Sequence, residues 1–337
     1  MTTPTMATQS PTPPPPTPLA QRALTSIVRA PLFGASVALI VAIIAFGIIS
    51  PRFLQPGNIS LILQQSVVIG ILAVAQTLII LTAGIDLSIG AIAVLGTVVM
   101  AQVGGALGPA TAVIVTLVVC VALGSLNGGL STLLHLPPFI VTLGTFTAIV
   151  AGTHLYAGSQ TFQVSDPLLT FLGTTFDIAG FTTTYGVVAM LLVYLVTGYA
   201  LTQTAWGKHV YAVGGNPAAA KLSGVRSDWV TFSVYFFSGV IALIAAWAAL
   251  GRIPNADPNA YQNANLETIT AVVIGGTSLF GGRGGVLGTL IGTLIVGVLR
   301  NGLTLAGVDN LYQNIATGVL VIAAVAVDQF MRRRTAR

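Results

Sequence analysis

Residues 204–228 read TAWGKHVYAVGGNPAAAKLSGVRSD, the longest basic and polar interruption in a chain that is otherwise almost entirely apolar. Lys208, His209, Lys221 and Arg226 lie here, between uncharged runs at 178–207 and 229–251. Each run is long enough for a membrane span, which takes about 20 apolar residues. The interruption also carries local structural signals. Asn216 suits a helix N-cap, Pro217 the first helical position, Ala218 to Ser223 about two turns, and Gly224 a left-handed stop. The stretch therefore predicts a short exposed helix between two spans. With Ala219, Leu222 and Val225 as small apolar contacts beside Lys221 and Arg226, that helix suits a groove on another protein. The same basic, amphipathic character also suits a helix resting on a lipid surface.

Working outward, 54% hydrophobic and 6% charged residues, with a mean hydropathy of +0.91, describe an all-α polytopic membrane protein and exclude a soluble fold. Charge-free runs cover 30–51, 53–85, 87–165, 178–207, 229–251 and 310–327, the third long enough for several spans. About ten spans are expected, near 30–50, 61–82, 88–104, 109–134, 138–157, 184–203, 229–250, 265–280, 285–300 and 311–330, within a transmembrane domain over 26–331. The breaks have physical causes. Gly104-Gly105 with Gly108-Pro109, and His135-Leu136-Pro137-Pro138, interrupt helices because proline removes an amide donor and turns its predecessor away from helix.

Residues 1–25 are rich in Pro, Thr and Ser and read as a disordered cytoplasmic tail, and 332–337 as a short basic one. The apolar run from Ala30 to Ile49 is longer than a signal-peptide core and has no small-residue cleavage site, so it reads as a retained first span. An even number of spans places both termini on one side, and the positive-inside rule makes that side the cytoplasm. Ten of the 13 Lys and Arg then fall inside, and Arg52, Arg252 and Arg300 outside. The net charge of +5 thus reflects membrane topology and not nucleic-acid binding. Cys120, alone in an apolar run, reads as a buried inert thiol.

Two glycine-rich stretches interrupt the spans. LTAGIDLSIG, Leu81 to Gly90, sets Gly84, Asp86, Ser88 and Gly90 between the second and third. IGGTSLFGGRGGVLG, Ile274 to Gly288, sets Gly275, Gly276, Thr277 and Ser278 between the eighth and ninth. Irregular backbone at membrane depth is tolerated where it is buried in protein or lines a water path, and paired interruptions point to a translocation route. Tight turns with Asp86 as a helix cap account for the same residues. Gly284, Gly288 and Gly292 repeat every four residues, as in packing between membrane helices.

Catalytic signatures are missing from the sequence. Its Gly207-Lys208 pair is followed by His209, so it has no nucleotide-binding P-loop. His135, His154 and His209 are far apart and form no metal-ligand spacing. No cofactor is expected, and the chain reads as a non-enzyme.

Taken together, LTAGIDLSIG at 81–90, YAVGGNPAAAKLSGV at 211–225, TAVVIGGTSLFGGRGG at 270–285 and Val327-Asp328-Gln329 resemble the permease subunit of ribose-type ABC sugar importers, across most of residues 60–330. The resemblance implies a type II importer-like permease fold in the bacterial inner membrane. It implies passage of a monosaccharide such as ribose, xylose or fructose by alternating access. The implied partners are a second permease, either identical or a paralogue, a cytoplasmic ABC ATPase and an extracytoplasmic sugar-binding protein, with lipid around them. It makes Gly214, Gly215, Asn216, Pro217, Ala219, Lys221, Leu222, Ser223 and Gly224 the ATPase-coupling segment. Arg52, Arg252 and Arg300, on the outer face, are then available to dock the binding protein, or else snorkel at the membrane edge. A self-contained secondary carrier or channel is the alternative, with Asp86 as its candidate ionisable group because the other acids fall near the ends of the expected spans.

Overall fold

A computed structural model describes residues 31–335, so the expected tail at 1–25 lies outside the described residues. The chain forms α1 (Pro31–Ile49), α2 (Pro56–Leu81), α3 (Ile89–Leu107), α4 (Pro109–Thr132), α5 (Pro138–Ala157), α6 (Tyr185–Gln203), α7 (Ala205–Gly215), α8 (Pro217–Leu222), α9 (Ser227–Arg252), α10 (Ala264–Ile274), α11 (Val286–Leu305) and α12 (Asn310–Thr335). Proline opens α2, α4, α5 and α8, where its missing amide donor costs no hydrogen bond. Short strands join the connections. β1 (Phe162–Gln163) pairs with β4 (Asn255–Ala256), and β2 (Thr175–Ile178) forms a hairpin with β3 (Phe181–Thr184).

Among the described residues, 8 helices are long and apolar enough to cross a membrane: α1 to α6, α9 and α11. The expected span at 265–280 is shorter than predicted. α10 has 11 residues, about 16 Å of helix against a hydrocarbon core of about 30 Å. It ends because Gly275 and Gly276 follow, Gly276 at φ +85°, and the chain turns back into α11. The tenth expected segment lies in α12, which runs on through the basic residues to Thr335.

α2 is the axis of the bundle. Every residue from Ser66 to Leu81 is buried, and α6, α9, α10 and α11 pack around it while α1 lies outside against α11. The outer surface is apolar, with Ile40, Val41, Ile44 and Ile48 of α1 and Leu191, Leu192, Leu195 and Val196 of α6 all exposed. Such a surface suits hydrocarbon, because every helical backbone group is already bonded within its helix.

Small residues set the closest contacts. A Cβ on Gly124 of α4 would stand 2.5 Å from the Tyr235 carbonyl oxygen, and one on Gly239 of α9 the same 2.5 Å from that of Cys120. The two backbones touch where any side chain would hold them apart. Gly288 and Gly292 of α11 likewise face Gly275 and Ala271. Gly284, expected on the same helix face, instead precedes α11 at φ +116°.

Candidate functional site

The capping signals at 216–224 form as the sequence predicts. Asn216 Oδ1 accepts the Ala219 amide at 3.0 Å, Pro217 opens α8, and Gly224 adopts φ +84° behind it. Gly215, Asn216, Pro217, Ala219, Lys221, Ser223 and Gly224 are exposed, and Leu222 is 91% exposed. Val225 differs from expectation, since it packs against the core and leaves the outward face to Leu222. α7, which the sequence pattern did not separate from this stretch, is capped by Thr204, whose hydroxyl accepts the Gly207 amide at 3.2 Å.

Gly214, at the end of α7, is buried, and a Cβ there would overlap the carbonyl oxygen of Leu81 at the end of α2. That carbonyl also accepts the Gly282 amide at 3.0 Å. A Cβ on Gly281 would meet the Gly214 oxygen at 2.7 Å and the Ala83 amide nitrogen at 2.9 Å. Tyr211 adds a hydroxyl bond to the Gly284 carbonyl at 2.9 Å. Both glycine-rich interruptions therefore meet the 204–228 segment at one backbone junction. Sequence spacing gives no sign of it, because the three segments are far apart in the chain.

Asp86 and Ser88 are fully buried. Asp86 Oδ1 accepts the Ser88 amide at 2.6 Å and the Ser88 hydroxyl at 2.7 Å, which closes the turn into α3. Asn127 of α4 donates to the Ser88 hydroxyl at 2.8 Å, and Asn265 accepts the Gly90 amide at 2.9 Å. Thr277 and Ser278 are buried in the opposite turn, where the Thr277 hydroxyl accepts the Gly285 amide at 3.2 Å. This is the tight-turn reading of Asp86 and not a helix cap, since the N-cap of α3 is Ser88 and carries no side-chain capping bond. Asp86→Asn keeps an acceptor for both Ser88 bonds and should leave uptake unchanged and independent of a proton gradient. Asp86→Ala removes both and should lower stability by about 1–3 kcal/mol. Uptake by each variant, with and without an uncoupler, and thermal unfolding in detergent check the pair.

A cavity of about 660 Å³ opens at the other end of the bundle, within the size range of about 300–1,000 Å³ that holds small ligands. α2 fixes the separation: Ser66 lines the cavity and Leu81 reaches the glycine junction, about 22 Å of helix apart. Gln65, Thr97, Arg252, Glu267 and Arg300 reach the wall from five helices. The α9–α10 connection adds Asn255, Asp257, Asn259, Gln262 and Asn263. Sequence reading passed over this connection as an outer loop, although its run of amide side chains was the available signal. Gly84, Asp86, Ser88, Gly90, Gly275, Gly276, Thr277 and Ser278, expected along a translocation path, do not line this cavity. All but Gly90 build the turns at the opposite end; Gly90, in the first turn of α3, packs against Asn265 and the cavity-lining Ala264.

The three arginines expected on the outer face share the cavity end but not one role. Arg52 is exposed beside the buried Phe53, whereas Arg252 and Arg300 line the cavity. Arg300 Nη1 donates to Glu267 Oε1 at 2.7 Å, with Glu267 buried and the Arg300 side chain 53% exposed. Two arginines face two carboxylates, Asp257 and Glu267, so their formal charges balance. A wall of balanced charge with many donors and acceptors suits a neutral, hydroxylated solute better than an ion.

Residues 58–325 match the family described as branched-chain amino acid transport system / permease component. The chain is similar to the fructose import permease protein FrcC of Rhizobium meliloti, 47% identical over 305 residues that cover 88% of this chain and 85% of that protein. It is 36% identical over 303 residues to the ribose import permease protein RbsC of Bacillus subtilis (strain 168), covering 88% and 92% of the two chains. It is also 36% identical over 305 residues to the D-allose transport system permease protein AlsC of Escherichia coli (strain K12), covering 88% and 90%. No solved structure matches at a significant level. An apolar bundle of membrane-crossing helices with a polar cavity at one end and a capped, exposed helix at the other therefore belongs to this family of transport-system permease components.

Proposed function

We propose that this chain is the membrane-spanning subunit of an ABC importer and passes a monosaccharide from an extracytoplasmic binding protein, driven by a separate cytoplasmic ATPase. The observation that carries the reading is a polar, charge-balanced cavity at one end of the bundle and, at the other, a solvent-exposed helix fixed to the helix ends by a glycine junction. Fructose, ribose and D-allose in the relatives' names support the solute class. Lys208, Lys221, Arg226 and Arg283 surround the α8 end, which supports a cytoplasmic position for it and an outward one for the cavity.

In this mechanism ATP binding closes the ATPase dimer and draws α8 inward. Because Gly214 and Gly282 touch the end of α2 without intervening side chains, displacement of α8 reaches the central helix directly. The exposed apolar faces lie against lipid and against a second permease, either identical or a paralogue. Arg52 remains available to dock the binding protein, with Arg252 and Arg300 at the cavity.

Reconstitution in proteoliposomes tests the reading. Uptake of labelled fructose, ribose or allose should require ATP, the ATPase and the binding protein together. Sugar uptake by the purified chain alone, down a gradient and without any ATPase, would establish the self-contained carrier instead.

A further inference from the structure

We propose that the Glu267–Arg300 wall of the 660 Å³ cavity is a monosaccharide-binding subsite of the permease itself, in which the two side chains present a fixed pair of hydrogen-bonding groups to sugar hydroxyls. The proposal rests on reading the cavity as the solute's entrance.

A passage that only conducts a neutral solute can be lined by backbone, Ser and Thr. This wall instead holds a buried carboxylate, and removing a carboxylate from water is costly unless it is paired. Glu267 sits on the short helix α10 and Arg300 on α11, joined at 2.7 Å across the two helices. The bond takes one guanidinium nitrogen and one carboxylate oxygen. Arg300 lines the cavity with its side chain half exposed, so the planar guanidinium keeps donors free in a fixed fork. Neighbouring hydroxyls of a sugar match such a fork, each accepting one N–H. Asp257 and Gln262 stand on the same wall as additional acceptors and donors. The pairing also explains why the ligand is neutral: Glu267 already satisfies the charge of Arg300, so an anionic solute would have to displace it.

The glycines of α11 hold the pair in place. Gly292 meets Ala271 without a side chain between them, which fixes α10 against α11 just below the Glu267–Arg300 bond. The pair is therefore set before a ligand arrives, and a site built to bond hydroxyls discriminates strongly through the groups it would otherwise leave unpaired.

The lone native thiol permits a direct test. Cys120 is buried, so Asn263→Cys introduces an accessible reporter on the cavity wall, at a position whose side chain makes no helix-capping bond. In nanodiscs holding the full chain without ATPase or binding protein, a charged methanethiosulfonate should label this cysteine. D-fructose or D-ribose should slow labelling saturably, and leucine should not. Adding Arg300→Gln should raise the half-protecting concentration about tenfold, with Arg300→Lys intermediate; Glu267→Gln replaces these variants if they fail to insert. Labelling that no sugar slows, protection that survives Arg300→Gln and Glu267→Gln unchanged, or protection by leucine in place of sugar each overturns the subsite. Protection without ATP-driven uptake would leave the subsite standing and overturn the importer reading. Uptake with an unprotected cysteine would do the reverse.

Discussion

Gly214→Val is expected to abolish ATP-driven uptake, whereas Gly215→Ala, one residue away, is expected to retain it. The contrast follows from what a side chain would meet. At Gly214 a Cβ overlaps the Leu81 carbonyl and approaches the Gly282 amide nitrogen to 2.7 Å, while at Gly215 it meets nothing within 4 Å. Both obstacles at Gly214 are backbone and cannot rotate away, so α7 must retreat from the end of α2 or the Gly282–Leu81 hydrogen bond must break. Overpacking of this kind costs about 1–3 kcal/mol. The loss falls on the junction that joins α8 to the membrane helices, so the defect in uptake should exceed the defect in stability. Membrane insertion and ATPase pull-down of Gly214→Val, measured beside uptake, separate the two. Wild-type uptake by this variant would show that α8 motion does not travel through the junction.

Leu222→Asp is the second large effect. A leucine 91% exposed contributes little to folding, and surface substitutions usually stay within about 0.5 kcal/mol. Thermal unfolding of the purified permease should therefore be unchanged. A buried apolar anchor in an interface is worth about 2 kcal/mol or more, so co-purification of the ATPase should fall at least about thirtyfold, and uptake with it. If α8 merely rests on lipid, the ATPase will co-purify with Leu222→Asp as well as with the wild type. That result would remove the docking role from this helix while leaving the rest of the transport reading intact.

The parts of the structure that were legible in sequence are those decided locally. Asn216, Pro217 and Gly224 specify α8 through its caps, and the proline-opened helices α2, α4 and α5 begin where a missing amide does no harm. The length of α10 was not legible. Hydropathy continues past Ile274 through Leu279 and Phe280, and only the backbone conformation of Gly276 shows where the helix stops. The cavity was hidden for a different reason. Its wall is assembled from α2, α3, α9, α10, α11, the start of α12 and one connection, and no spacing rule unites residues so far apart. Arg300 illustrates the difficulty: in sequence it is an isolated cation near a span end, and only its 2.7 Å approach to Glu267 makes it part of a wall. The glycine junction was half visible, since each segment announced its need for close approach without naming its partner.

The pairing of β1 with β4 has a mechanical consequence. Phe162 lies opposite Ala256, and the Val164 amide bonds to the Pro254 carbonyl at 2.9 Å, which stitches the α5–α6 connection to the rim of the cavity. The rim cannot swing as a free flap: widening it must drag the α5–α6 connection along or tear the stitch. A protein seated on that connection would thus hold a lever on the aperture from outside, without sending a single side chain into it.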